Sequence, residues 1–285
     1  GDYLDIKGGI TIDNVTVDLT IKNVTIKSGG DGARGWDLAG IYLKGNAQLN
    51  LTLEGDNTLL GLEHGAGIEV EKGATLVITE NSNGSLRAVG GAYGAAGIGG
   101  NADAVSYFHG ALETKDFDGT KYGTGTIIIK GGTIAAEGGV YWVSGVTDYQ
   151  GGGIGTGTYG IGGTIKILGG TITAEGGKNT GAGIGGGTGG GVDTIVIDGA
   201  NGEAPDITVF SYNSAWGYLG AAIGSGWNGV SDLKLSCGEI QILSGSVKVK
   251  GGNIGYGVLR DVNGNSMKGG SVTISEEVQL ELPLE

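Results

Sequence analysis

Glu137 and Glu175 close two nearly identical phrases, GGTIAAEGG and GGTITAEGG, that lie 38 residues apart. Two carboxylates held about 5–10 Å apart are what a glycoside hydrolase requires, so equivalent places in successive repeats would suit that chemistry. Carried through neighbouring repeats, the same position holds Val89, then the two glutamates, then Ser211 and Lys250. Such a mixture reads as a solvated face rather than an acid–base pair. A second group, His109, Glu113, Asp116, Asp118 and Lys121, falls within 13 residues. It has the ingredients of acid–base or metal chemistry, but one histidine is few for zinc and the composition is that of a soluble loop. In TGGGVDTIVID, Gly189, Gly191 and Asp193 match a calcium-binding nonapeptide, with Thr188 in place of its first glycine. Such sites need consecutive nine-residue copies, and none follow. Ice binding would need ranks of T-x-T, and Thr171 and Thr173 do not recur coil after coil. No catalytic or metal-binding residue is assigned, and no cofactor is expected.

Aromatic residues supply the other candidate chemistry. Eleven of the 18 fall in three segments, 101–122, 140–150 and 201–219. Trp and Tyr offer an apolar face with a polar edge, which suits sugar rings whose hydroxyls bond nearby Asp, Asn and Gln. On that reading Trp142, Tyr149, Trp216, Tyr218 and Trp227 are the expected glycan contacts. The competing reading packs these rings over the strand faces as satellite cores.

The elements that must position these residues follow from a returning glycine phrase. It is centred on Ile41, Ile68, Ile98, Ile154, Ile184, Ile223 and Ile254, with gaps of 27, 30, 56, 30, 39 and 31 residues. A period near 30 denotes stacked supersecondary units. Each unit holds short alternating segments such as TIIIKGGTIAAEGG, in which Ile127, Ile129 and Ile134 can share one side. Three short strands and three turns per repeat predict an all-β parallel β-helix, with about 30 residues per coil, in one domain spanning 1–285. Glycine suits corners that need positive φ, and the isoleucine of each phrase should point inward and stack on the next. The longer gaps place insertions at about 101–122, 140–150 and 201–219, where solenoids carry surface loops. The acidic piece GGSVTISEEVQLELPLE reads as a terminal strand or cap. His64 reads as an isolated turn residue, and Cys237 as a small buried apolar one.

Composition bounds the rest. The chain has 66 Gly, 2 Pro and a formal charge of −13, with arginine only at positions 34, 87 and 260. Collagen is excluded by the missing Pro and Gly-X-Y register, and a flexible linker by the β-branched runs. Nucleic acid binding would want basic stripes, and none occurs. No run of about 18 apolar residues suggests a membrane span. The opening GDYLDIKGG reads as strand rather than signal peptide, so a longer multidomain chain is expected.

The phrases GGTITAEGGKNTGAGIGGG, LNLTLEGDNTLLG and GAGIEVEKGATLVITENSNGSLRAVGG resemble the Gly-rich β-helical regions of large surface proteins from gut-type bacteria. The resemblance covers about residues 10–275, and the 101–122 insertion departs from it. It implies a right-handed parallel β-helix (solenoid) of pectin-lyase-like fold, exported to the cell surface or secreted, and part of an adhesin or carbohydrate-binding protein; no catalytic motif carries over. The expected function is a structural and adhesive module binding polysaccharide or host and cell-surface glycans through aromatic loops. The alternatives are a polysaccharide lyase or glycoside hydrolase of the same fold and a passive spacer.

Overall fold

A computed structural model describes residues 4–28, 39–102, 119–143, 146–178, 180–199, 202–211, 219–227, 236–257 and 270–283. For residues 4–7, 121, 142–143 and 146–148 it describes the backbone alone. The chain cycles through three parallel sheets in strict order, one strand of each per coil, as a right-handed parallel β-helix. Sheet A has nine strands, sheets B and C eight each, among the described residues.

Alternation decides which residues enter the core. In sheet C, Thr126–Ile129 and Thr164–Ile167 bury every second side chain, so Ile127, Ile129, Ile165 and Ile167 are fully enclosed. In sheet A, Thr133–Glu137 and Thr171–Glu175 do the same with Ile134, Ala136, Ile172 and Ala174. Parallel register then stacks like on like: Ile127 on Ile165 and Ile134 on Ile172. Each buried Ile or Leu contributes about 1.5–3 kcal/mol, so the interior is one continuous aliphatic column.

The isoleucine of the glycine phrase forms sheet B. Ile10, Ile41, Ile68, Ile98, Ile154, Ile184, Ile223 and Ile254 are consecutive partners. The 56-residue gap is therefore one coil carrying two insertions, since Ile98 pairs directly with Ile154. From Gly99 onward the residue after the isoleucine is glycine, with φ of 137° at Gly99, 142° at Gly155 and 135° at Gly185. A Cβ on Gly155 would lie 1.9 Å from the carbonyl oxygen of Gly185 in the next coil. Only glycine satisfies both the backbone angle and that approach.

The 140–150 insertion is an antiparallel hairpin, Val140–Val143 against Val146–Gln150. Part of the 201–219 segment is sheet A strand, Asp206–Phe210. The acidic end joins the stack as Ser271–Ile274 and Gln279–Glu281, which pair with sheets C and A. Cys237 is buried in the main core, as its sequence suggested, and burial pushes its thiol pKa up. No helix is long and apolar enough to cross a membrane, among the described residues.

Candidate functional site

The turns that lead from sheet A into sheet B bring a row of rings together. His64 stacks on Tyr93 at 4.4 Å with planes only 4° apart, and Tyr93 meets Tyr141 at 4.6 Å. The row continues through Tyr149 at 6.3 Å and ends at 6.1 Å on Tyr159, which lies past Gly155 in the connection from sheet B to sheet C. Coil stacking explains the row: His64 and Tyr93 sit four and five residues before their column isoleucines, so consecutive turns superimpose them. The hairpin adds Tyr141, cross-strand partner of Tyr149. His64 is thus no isolated turn residue; its Nδ1 also lies 3.1 Å from the Ala102 carbonyl oxygen.

Exposure divides the row. His64, Tyr93 and Tyr141 are half-buried, whereas Tyr149 and Tyr159 are 5% and 4% exposed. Of the expected glycan contacts, Tyr149 therefore turns its ring into the protein. Trp227 does likewise at 7% exposed, and its backbone is tied on both sides, donating to the Thr180 carbonyl and accepting from Gly189. For Trp142 the structure describes only the strand backbone, and Trp216 and Tyr218 lie outside the described residues.

Beside the buried rings is a layer of hydroxyls and amides outboard of sheet B. The Thr188 hydroxyl accepts from the Gln150 amide at 2.9 Å and meets the Thr180 hydroxyl at 2.5 Å. The Gln150 side-chain oxygen accepts from the Thr180 amide at 2.7 Å, and Thr156 Oγ1 accepts from the Gly187 amide at 3.2 Å. All four side chains are buried. Buried polar groups of this kind hold a structure only when paired, and here the pairs join two adjacent coils, those of Ile154 and Ile184. Tyr149, Tyr159 and Trp227 are buried in this layer, outside the aliphatic core. The sequence signal was the run of Thr and Gly after Ile154 and Ile184, which period-two counting passes over.

The carboxylate pair is in register: Glu137 faces Glu175 across adjacent strands. Arg87, on the opposite neighbour, grips Glu137 with a two-pronged contact at 2.8 and 2.9 Å. That fork engages both oxygens of the Glu137 carboxylate. The column differs from the expected one at one place, where Phe210 and not Ser211 faces Glu175. Ile207 must stack on Ile172 to fill the core, and that register brings residue 210 to the face. Ser211 is instead buried, its hydroxyl donating to the Gly220 carbonyl at 2.7 Å.

His109, Glu113, Asp116 and Asp118 lie outside the described residues, and of Lys121 only the backbone is described, in a short turn at Gly119–Lys121. Asp193 of the nonapeptide-like phrase accepts from the Gly163 amide at 3.1 Å and so fastens one coil to the preceding one. Among the described residues, no three His, Cys, Asp or Glu side chains gather to hold a metal. No family model, curated protein or solved structure matches this chain.

Proposed function

We propose that the chain is a structural and adhesive module of a bacterial surface or secreted protein, contacting glycans at the rim of its aromatic corner. The observation that carries the reading is the half-buried pair Tyr93 and Tyr141, seated on a stack of coils whose interior is close-packed. Rings held by a rigid scaffold meet a sugar face with little loss of side-chain freedom. Trp142 follows Tyr141 in the same strand. The acidic charge of −13 favours neutral over anionic polymers. Resemblance to the Gly-rich regions of gut-type bacterial surface proteins supports the extracellular setting.

The test is a glycan array followed by calorimetry with neutral plant, host and bacterial polysaccharides. Binding that weakens at least about tenfold in the Tyr93→Ala, Tyr141→Ala double variant is expected. Failure to bind any polysaccharide would overturn the glycan part. A passive spacer is the reading that remains in that case, and the burial of Tyr149 and Trp227 favours it.

A further inference from the structure

The corner between sheets C and A is uneven, and the unevenness is built from turn length. After Ile129 and after Ile167 the chain crosses this corner in three residues, Lys130–Gly132 and Leu168–Gly170. The coil on one side uses six residues, Thr79–Gly84, and the coil on the other uses eight, Asp198–Pro205. Two tight turns between two tall ones leave a trough of about 720 Å³. Its floor stays low because Gly132 and Gly170 have φ of 83° and 87°. A Cβ on Gly170 would come within 2.7 Å of the Gly132 carbonyl oxygen.

The lining is polar and mixed in sign. Glu80 and Asn83 stand on one wall, Glu203 and Asp206 on the other, with Lys130, Thr133 and Thr171 along the floor. Lys130 Nζ lies 3.5 Å from Glu80. The Glu80 carboxyl is held below its ordinary pKa by a backbone hydrogen bond first and by Lys130 second. Glu203 and Asp206 have no side-chain partner among the described residues, and both are exposed.

We propose that this trough binds a short neutral saccharide laid across the corner. The volume falls within the range of small-molecule sites, about 300–1,000 Å³. Two coil steps of about 4.8 Å each give a width suited to a single sugar chain. The carboxylates of Glu203 and Asp206 accept from sugar hydroxyls in charge-assisted bonds, while Lys130, Asn83 and the two threonines donate back. Leu168 and Ala204 offer small apolar patches to the C–H face of a sugar. The two unpaired carboxylates repel uronates, sulfates and phosphates, which sets the ligand class. This inference rests on the glycan-binding reading but assigns a different place, the C–A corner instead of the aromatic A–B corner.

The experiment is calorimetry of the whole chain with neutral oligosaccharides of several hexoses and pentoses, with the matching uronates and with oligolysine. Three proteins are compared: the parent, Glu203→Ala with Asp206→Ala, and Tyr93→Ala with Tyr141→Ala. Exposed positions 203 and 206 leave the fold intact, which circular dichroism checks. Affinity for the neutral ligand should fall at least about tenfold in the trough variant, with uronates weaker by a similar factor. Binding lost only in the tyrosine variant overturns the trough and leaves the aromatic reading standing. Binding of oligolysine but of no saccharide overturns both and makes the trough a cationic-peptide site, and binding of nothing overturns both outright.

Discussion

The first three coils and the five that follow differ at one position of sheet B. After the column isoleucine, the early coils carry Thr11, Tyr42 and Glu69, and their strands run on for two or three further residues. From Gly99 onward that position is glycine and the strand stops after two residues. A side chain there keeps the chain in the sheet, where it fills one core. Glycine at φ near 140° lets it swing outward and return, enclosing a second layer of Thr, Gln, Tyr and Trp against the sheet. One solenoid therefore holds two interiors with different physics. The inner one is aliphatic and non-directional, tolerant of Leu, Ile or Val at a given level. The outer one depends on particular hydrogen bonds and on backbones too close for any side chain.

The comparison breaks most sharply at the glycine column. Gly155→Ala places a Cβ against the next coil at an angle L residues rarely adopt, and should cost about 3 kcal/mol or more in urea titrations. Thr11→Ala, in the same column of an early coil and exposed, should change stability by no more than about 0.5 kcal/mol. Equal stability of the two variants would remove the glycine account.

A middle-sized contrast separates the two interiors. Ile154→Ala empties part of the inner column and should cost about 2–5 kcal/mol. Thr188→Val keeps shape but strips the acceptor from the buried Gln150 amide, at about 1–3 kcal/mol. The second variant should also speed amide exchange at Gln150 and Thr180 while leaving the inner strands protected; uniform loss of protection would mean the layers are not separable.

The smallest effect lies at the acidic end. Lys248 hydrogen-bonds Glu281, raising the lysine pKa and lowering that of the glutamate. The carboxylate's share of stability is present above about pH 4.3 and fades as pH falls through its lowered value. The lysine's share is present below about pH 10.4 and fades as pH rises through its raised value. Thermal midpoints of the parent and Lys248→Ala should differ slightly at neutral pH and converge at both extremes. A difference that persists at low pH would assign the effect to packing of the lysine stem.

Much of the fold was legible because it rests on periodicity. Ile127, Ile129 and Ile134 are inward as alternation required, and the isoleucines of the glycine phrase are partners in one sheet. The candidate site was less legible, for a geometric reason. His64 and Tyr93 are 29 residues apart, and nothing local says that their rings stack. Aromatic density drew attention to Tyr149 and closeness to a glycine phrase to Trp227, yet neither reports which face of a loop folds inward. The Phe210 register shows the same limit: counting across the 201–219 insertion misplaces the column by one residue, and core filling at Ile207 corrects it.

The trough shows where the division falls. Both short turns and both long ones are plain in the sequence, as KGG, LGG, TENSNG and DGANGEAP. That they are consecutive along one edge, and that their difference in height opens a cavity, follows only once parallel register fixes the order of coils. The coil and its inward residues could be read from the chain alone, because alternation and turn glycines depend on neighbours one to five positions away, and the period because one phrase is written again in almost every coil. Tertiary structure decided which turns share a corner and which rings are covered, because those contacts join residues about 30 positions apart through the stacking of whole coils.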